Sequence, residues 1–359
     1  MALPFLKNGN KSLDQLVSVD LGGRTTKAVH MQRKGDGLAL CGFAVLDAPL
    51  SDKSISVDLL AEHIKAIGQA LGITKAKPVS LAVGVNESLV RLTELPQMPV
   101  GDMRLILKNN SKNYLQQDLV GYVFDCFIFA SRANGAPAKD KNAPASMVQK
   151  HRVLAAGMKK QMVDDLQAAI RNSGLIADRV VPGVIGPVNA FEMAQPNEFE
   201  KGVIALVDIG FKNSTICILQ EGELMLNRVV AIGGDRLTAG LAETMNISYG
   251  EAEGIKIGMP EEVQANLEPL IIPLGRELRA SIDFFEHQHD KVVSQVFISG
   301  GSARSDFIVK LLQTELLVDC KPWNPASFLQ MALPPQQTTE IDVVAPQLTV
   351  AIGSALAAF

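Results

Sequence analysis

Apolar residues near the start of the chain form short, dense runs that predict a strand-rich unit. Residues 16–21, 25–32 and 38–46 are rich in apolar and β-branched side chains and predict three successive strands. Apolar positions then recur at helical spacing over residues 57–71, and a fourth strand is predicted at residues 78–83. The predicted order is therefore strand, strand, strand, helix, strand.

The same order begins again in the second half of the chain. Residues 202–208, 214–220 and 224–232 predict three strands, and a helix follows at 235–245. A mainly helical stretch and a further strand come next. In both halves an Asp-x-Gly sequence follows the first strand. An internal repeat of this length predicts two homologous lobes with a cleft between them.

The region between the two copies has a pattern of its own. Residues 92–182 predict two helices and two strands, which indicate a small α+β subdomain that offers a surface to partners. Within it, residues 132–150 are rich in Ala, Lys, Pro and Asn and predict a mobile loop. The predicted division is a flexible arm at 1–12, a first lobe at 13–91, the insert at 92–182, and a second lobe at 183–359 with a helical insert at 235–290.

Composition excludes several classes of protein. With 34 basic and 38 acidic residues, the net charge of −4 offers no support for nucleic-acid binding. No apolar run approaches the ~18 residues that a membrane span needs, and the four cysteines are far apart, as in reduced cores. We expect a cytoplasmic protein that is held at a membrane only through partners.

The first Asp-x-Gly sequence has the residue types of a phosphate-binding loop. Glycines allow backbone N–H groups to approach a phosphate closely, and the hydroxyl and lysine side chains add donors. A carboxylate in such a loop suits a nucleotide that carries a divalent cation, because the cation bridges the two anions. A lone Asp-x-Gly turn is as often structural. The candidate residues are Asp20, Gly22, Gly23, Arg24, Thr25, Thr26 and Lys27.

The second copy strengthens this interpretation. Its candidate residues are Asp208, Gly210, Asn213, Ser214 and Thr215. Two facing loops of this kind would clamp the phosphates from both sides. Asp20 and Asp208 would then hold a water-coordinated Mg²⁺.

Two further segments are candidates for the rest of a nucleotide. Gly300, Gly301 and Ser302 follow a strand, where they either admit a planar base or ribose or form an ordinary strand-to-helix turn. Glu253 and Lys256 share a helix face, as a solvated salt bridge or as ribose contacts, and spacing alone does not decide between these. Asp235, after another glycine pair, is interpreted as a helix cap.

Several familiar catalytic and nucleotide motifs are absent from the sequence. It contains neither GxxxxGK[ST] nor GxGxxG after the first strand, which argues against P-loop and dinucleotide-binding folds. No general base stands out for activating water on a γ-phosphate, so no catalytic residue is assigned. Nucleotide turnover is expected to be weak or absent.

Taken together, these motifs resemble the superfamily of actin, hexokinase and heat-shock-chaperone ATPases. Within it, the sequence is similar to the PilM family of type IV pilus assembly proteins and more distantly to the division protein FtsA. The segments that carry the resemblance are residues 19–27, 91–96, 207–210, 227–238, 251–256, 298–301 and 345–353. The resemblance implies a two-lobed α/β actin-like ATPase fold, built from duplicated RNase H-like domains, whose C-terminal helix returns toward the first lobe.

The resemblance also implies a function. It implies an adaptor of the type IV pilus inner-membrane assembly platform that binds ATP and Mg²⁺. ATP phosphates would lie at loops 20–27 and 208–215, with the adenosine near Glu253, Lys256, Gly300, Gly301 and Ser302. The N-terminal cytoplasmic tail of a PilN-like inner-membrane protein would dock on the insert, and the assembly would form a homo-oligomer or ring at the inner membrane.

Two features depart from the family's pattern, and two other functions compete. Arg24 stands in a loop that is usually small and serine-rich in the family, where it either pairs with a phosphate or crowds the nucleotide out. The 132–150 loop is longer than the insert normally needs. A small-molecule kinase of the same superfamily would need an acid placed as base toward a substrate hydroxyl. An FtsA-like division protein would form filaments.

Overall fold

The computed structural model describes residues 13–49, 55–129 and 150–359. The predicted arm at 1–12 and nearly all of the predicted loop at 132–150 lie outside the described residues. Within the described ranges, no helix is long and apolar enough to cross a membrane.

The first part of the chain forms the predicted strands and helix. The elements are β1 (Gln15–Leu21), β2 (Thr25–Lys34), β3 (Gly37–Asp47), α1 (Val57–Ala70) and β4 (Pro78–Val83). Helix α1 begins where the Ser56 hydroxyl accepts a hydrogen bond from the Leu59 N–H at 3.3 Å, a normal N-cap.

The middle of the chain alternates strands and helices. Its elements are β5 (Ser88–Pro96), α2 (Val100–Leu115), β6 (Tyr122–Ile128), β7 (Lys150–Lys159), α3 (Lys160–Asn172) and β8 (Ile176–Pro182). Two helices, α4 (Gly186–Ala194) and α5 (Pro196–Lys201), then lead into the second half.

The second half repeats the pattern of the first and adds helices. It contains β9 (Val203–Ile209), β10 (Ser214–Gln220), β11 (Glu223–Val230), α6 (Gly234–Met245), α7 (Tyr249–Gly258), α8 (Gln264–His289), β12 (Gln295–Gly300), α9 (Asp306–Leu316) and β13 (Cys320–Pro322). The last elements are β14 (Gln330–Met331), α10 (Pro335–Thr338), α11 (Ile341–Val344) and α12 (Thr349–Leu356).

The two large sheets share a five-stranded topology, to which β14 adds an edge strand in the first sheet. One has the strand order β14-β3-β2-β1-β4-β8 and the other β11-β10-β9-β12-β13. In each, three consecutive strands pair antiparallel, and the first of them, β1 or β9, pairs in parallel with the strand after the helices. This duplication matches the predicted α/β fold of two related lobes. Each central strand ends at its Asp-x-Gly sequence, so the two loops occupy equivalent positions.

The third sheet extends over a different range from the one predicted for the insert. It has the order β5-β7-β6, so its first strand begins at residue 88 and its last strand ends at residue 159, whereas the predicted insert is 92–182. Strand β8 pairs in parallel with β4 of the first sheet, and α3 packs against α1. The run of buried residues in β8 gives no local sign of the sheet it joins, because a parallel partner lies far away in sequence.

The C-terminal part of the chain returns to the first lobe. Strand β14 pairs with β3, and α12 packs on β1, β2 and β4. The Ser80 hydroxyl donates to the carbonyl of Ser354 at 3.5 Å. One large apolar core includes the first sheet and α12, and a second core lies between the second sheet, α8 and α9.

Candidate functional site

The two Asp-x-Gly loops converge on one cleft. Two adjoining cavities, each of about 290 Å³, are both lined by Asp20, Lys27, Asp208 and Gly210. The loops approach each other closely, since a Cβ atom added to Gly23 would lie 3.3 Å from the Phe211 ring. The structure therefore places the two predicted carboxylates in the same site.

The glycines of the two loops have equivalent structural roles. A Cβ on Gly22 would lie 2.4 Å from the Thr25 carbonyl oxygen, and one on Gly210 would lie 2.7 Å from the Asn213 carbonyl oxygen. In both loops the carbonyl three residues later occupies the space of a side chain. Both turns consequently require glycine at this position.

Burial is the largest influence on the pKa values of the two carboxyl groups. Burial raises the pKa of Asp20, against the influence of Lys27, whose Nζ lies 3.6 Å from the carboxylate. Burial and, to a smaller extent, the charge of Asp20 raise the pKa of Asp208 to about 6, against the 2.8 Å hydrogen bond that the Ser299 hydroxyl donates to it. In both cases burial disfavours the ionised carboxylate, which a bound cation would stabilise.

The donor chemistry at this position suits Mg²⁺ in combination with a phosphate. Hard divalent cations prefer oxygen ligands, and Mg²⁺ usually keeps several waters and takes only one or two carboxylates. Among the described residues, no group of three or more His, Cys, Asp or Glu side chains surrounds a potential metal position. Asp20 and Asp208 would thus hold the ion together with water and ligand oxygens.

The predicted residues of the first loop do not all face the cleft. Arg24, Thr25 and Lys27 line it, whereas the Thr26 hydroxyl lies 2.8 Å from Nε2 of His63 on α1. Successive residues of a strand point to opposite faces, and the loop is followed directly by β2. Thr26 therefore fixes β2 against α1.

The second loop divides in the same way. Asn213 and Thr215 line the cavity beside Asp208. The Ser214 hydroxyl is instead fully buried and donates to the Ile232 carbonyl at 2.7 Å. Ser214 thus holds β10 to the segment that precedes α6.

In the other half of the cleft, the buried Lys256 pairs with the half-buried Glu253. The Lys256 ammonium donates to Glu253 Oε2 and to the Thr238 hydroxyl, both at 2.7 Å, and only 2% of the residue is exposed. Burial lowers the pKa of Lys256, which the Glu253 carboxylate partly offsets. Hydrogen bonds from Lys256 and Thr238 hold the pKa of Glu253 below its usual value despite burial. The arrangement is not that of a solvated surface salt bridge.

The glycine segment after β12 completes the wall of this half. Gly300, Gly301 and Ser302 line the same cavity as Glu253 and Lys256. Gly300 has a φ of 92°, and a Cβ there would lie 2.3 Å from the Ile209 carbonyl oxygen. Glycine is therefore required where this segment passes the end of β9, while Gly301 has open space beside it.

The structure adds residues that the sequence did not identify. Asp235 was expected to cap a helix, but its carboxylate accepts hydrogen bonds from Lys212 at 2.6 Å and from the Tyr249 hydroxyl at 2.9 Å. Asn86 and Glu87, after β4, line the cavity beside Asp20. Lys212 lies inside the second loop, so the internal repeat could have identified it as a candidate. The others come from distant segments, and only the fold shows them.

Arg24 reaches across the cleft from the first lobe to α7. Its Nη1 lies 3.3 Å from Glu253 Oε2, and its guanidinium lies over the ring of Tyr249, 5.4 Å from the centroid. The first loop therefore contacts the helix that carries the Glu253–Lys256 pair.

The duplicated sheets and the cleft between paired Asp-x-Gly loops define an actin-like ATPase fold. Solved structures with this fold resemble the chain over nearly its full length. A PilM-PilN type IV pilus biogenesis complex matches with 21% identity and a TM-score of 0.78, covering 97% of this chain and 99% of that chain. EutJ of Carboxydothermus hydrogenoformans matches with 14% identity and a TM-score of 0.54, covering 97% and 91%. MreB5 of Spiroplasma citri bound to ADP matches with 11% identity and a TM-score of 0.51, covering 95% of each chain.

Sequence comparison identifies the family. The model of the family described as "Type IV pilus assembly protein PilM" matches residues 140–359. The chain therefore belongs to this family of actin-like proteins, which confirms the resemblance seen in the sequence.

Curated relatives are more distant. The cell division protein FtsA of Bacillus subtilis is 22% identical over 255 residues, which are 67% of this chain and 57% of FtsA. FtsA of Enterococcus hirae is 25% identical over 129 residues, which are 34% of this chain and 28% of that protein. The matches thus span little more than half of these relatives' length at most.

Proposed function

We propose that the chain is an ATP-binding adaptor of the type IV pilus assembly platform. It binds ATP with Mg²⁺ between its lobes and recruits the N-terminal cytoplasmic tail of a PilN-like inner-membrane protein. The observation that carries the nucleotide part is the convergence of two equivalent Asp-x-Gly loops on one cleft, with Asp20 and Asp208 lining both of its cavities. Structures of the similar MreB5 contain ADP and AMPPNP, which supports a nucleotide as the ligand.

Each part of the cleft suits one part of the nucleotide. Backbone N–H groups around Gly22 and Gly210 bind the phosphates, together with the Lys27 ammonium. Asp20 and Asp208 hold Mg²⁺, which neutralises phosphate charge when it is bound. The adenosine lies between the Glu253–Lys256 pair and the glycine segment that follows β12.

A partner groove lies on the other side of the first loop. An apolar cavity of about 630 Å³ runs between the first lobe and α3, and Val57, Leu60, Met162 and Leu166 are part of its lining. It borders the region that the sequence assigned to partners. We place the tail of the PilN-like protein in this groove, where apolar side chains of a short peptide would be buried. The fold's similarity to a PilM-PilN complex supports this class of partner.

Thermal unfolding tests the nucleotide part of the proposal. A ligand at 100 times its Kd stabilises a protein by about 2.7 kcal/mol, so ATP with Mg²⁺ raises the Tm of the wild type. Asp20→Ala and Asp208→Ala lose most of this increase while they remain folded. Asp36→Ala, in an exposed hairpin turn, keeps the full increase. Equal stabilisation of all four proteins would refute the assignment.

Recruitment is tested separately by binding a synthetic peptide of the PilN-like protein's N-terminal tail. The proposal predicts saturable one-to-one binding to the full chain. A peptide with the same composition in scrambled order serves as the control. Equal binding of both peptides, or of neither, would exclude tail recruitment and leave the nucleotide assignment untouched.

A further inference from the structure

The Arg24 contact joins the two lobes within the nucleoside half of the cleft. Arg24 belongs to the first loop, whereas Glu253 and Tyr249 belong to α7 in the second lobe. Arg24, Glu253 and Lys256 line one cavity together with the glycine segment after β12. The guanidinium therefore lies in the space between the phosphate loops and the residues proposed to bind the adenosine.

The backbone of Arg24 is anchored by a hydrogen bond, whereas its side chain is partly exposed. Its carbonyl accepts a hydrogen bond of 2.8 Å from the Ala48 N–H at the end of β3. The side chain is 38% exposed. A change in its contact with α7 requires no rearrangement of the loop itself.

Glu253 does not depend on Arg24 for a partner. Its Oε2 already accepts hydrogen bonds from Lys256 and Thr238, and Arg24 approaches the same oxygen at the longer distance of 3.3 Å. The Tyr249 ring is held separately, since its hydroxyl donates to Asp235. Loss of the Arg24 contact therefore leaves neither group unpaired, and exposed ion pairs and cation–π contacts of this kind are weak.

We propose that the Arg24 contact with α7 sets the nucleotide affinity of this cleft. Resting on the proposed function, the inference is that a nucleoside can reach Glu253 and Lys256 only after Arg24 leaves α7. The ligand-free cleft is thus held closed by a contact that binding must break. Arg24 lowers nucleotide affinity, and its removal raises it.

Calorimetric titration with ATP and Mg²⁺ tests this inference on the full chain. Arg24→Ser is expected to lower the Kd about fivefold, the size of one weak ion pair combined with a cation–π contact. Tyr249→Leu removes the ring contact without a change in charge and is expected to lower the Kd by a smaller factor. Arg171→Ser, at the exposed end of α3, removes an equal charge outside the cavity lining and leaves the Kd unchanged.

A second measurement reports the contact without any nucleotide. Hydrogen exchange of the amides in α7 is expected to be faster in ligand-free Arg24→Ser than in the wild type, and unchanged in Arg171→Ser. Saturation with ATP brings wild type and Arg24→Ser to the same exchange rate, because both have then lost the contact.

The outcomes separate this inference from the proposed function. If Arg24→Ser binds ATP more weakly, Arg24 holds the phosphates and the inference is overturned. It is also overturned if the Kd is unchanged or if α7 exchanges at the same rate in both ligand-free proteins. If none of the proteins binds ATP, the proposed nucleotide function fails and the inference fails with it.

Discussion

Gly353 and Gly186 touch where helix α12 crosses helix α4. A Cβ atom on Gly353 would lie 1.7 Å from the Gly186 carbonyl oxygen, and one on Gly186 would lie 2.9 Å from the Val350 backbone. Helix α4 leads from the first sheet to the second, and α12 packs on the first sheet. Val350, one turn before Gly353, lines both cavities of the cleft. The close crossing of these helices therefore supports the floor of the candidate site.

Gly353→Ala should destabilise the protein strongly. The added methyl group meets backbone, which cannot move aside as a flexible side chain would, so the two helices must separate. We expect a loss of roughly 3 kcal/mol in the free energy of unfolding, at the upper end of overpacking effects. Chemical denaturation measures it. Gly101→Ala is the matched control, because a Cβ there meets no atom within 4 Å and alanine favours its helix, α2. Equal stability of the two variants would contradict the described crossing.

Substitution of the two neighbouring threonines should have opposite consequences. Thr25→Val is expected to weaken ATP binding severalfold with little effect on stability, since Thr25 lines the cleft. Thr26→Val is expected to leave the ATP Kd unchanged and to lower stability by about 1 kcal/mol, because it removes the partner of His63. Titration and thermal unfolding of both variants check this. If Thr26→Val weakened ATP binding and Thr25→Val lowered stability, Thr26 rather than Thr25 would face the cleft.

The buried Asp208 carboxyl should make stability depend on pH. Its pKa is raised from 3.8 to about 6, so the folded protein favours the protonated form. The stability that this protonation contributes is fully present below pH 3.8 and is lost as the pH rises through about 6. Relative to Asp208→Asn, the ligand-free wild type should therefore lose stability between pH 5 and pH 8, by about 1 kcal/mol or more.

Denaturation of wild type and Asp208→Asn at both pH values measures that difference, since other titrating groups largely cancel between the two proteins. With Mg²⁺ and ATP present at pH 8, the wild type should be more stable than Asp208→Asn, because its ionised carboxylate then has a cation to bind. A constant difference between the proteins at pH 5 and pH 8 would show that the Asp208 pKa is not raised.

A charge in the apolar groove should block the partner without affecting the nucleotide. Met162→Glu places a carboxylate among Val57, Leu60 and Leu166. We expect at least a tenfold loss in affinity for the tail peptide and an unchanged Kd for ATP. Asn172→Asp, at the exposed end of the same helix, should bind the peptide normally. Undiminished peptide binding by Met162→Glu would move the partner site elsewhere.

The sequence predicted those parts of the fold that depend on local pattern and internal repetition. The strands around Asp20 and Asp208 follow from alternating and dense apolar runs, and the repeat alone was enough to pair the two loops. The fold class and the PilM family are confirmed by the structure and the comparisons. ATP, Mg²⁺ and the tail of a PilN-like protein stay predictions.

Contacts between segments that are distant in the chain could not be predicted from the sequence. The predicted insert ends at residue 182 and includes residues 176–182 without a strand there, because nothing in their apolar run reveals a parallel partner at β4. Thr26 and Ser214 were included with their loops because the face that each strand presents is fixed only by what packs on it. The position of Arg24 was recognised as unusual, but its contact with Glu253 depends on how closely the second lobe approaches.

The proposed function depends on one nucleotide being held between the loops at Asp20 and Asp208. A crystal structure of the chain with Mg²⁺ and a non-hydrolysable ATP analogue tests it most directly. We expect the phosphates between Gly22 and Gly210, a cation next to the two carboxylates, and the adenosine beside Lys256. An analogue bound elsewhere, or a cleft that remains empty at a saturating concentration, would contradict it.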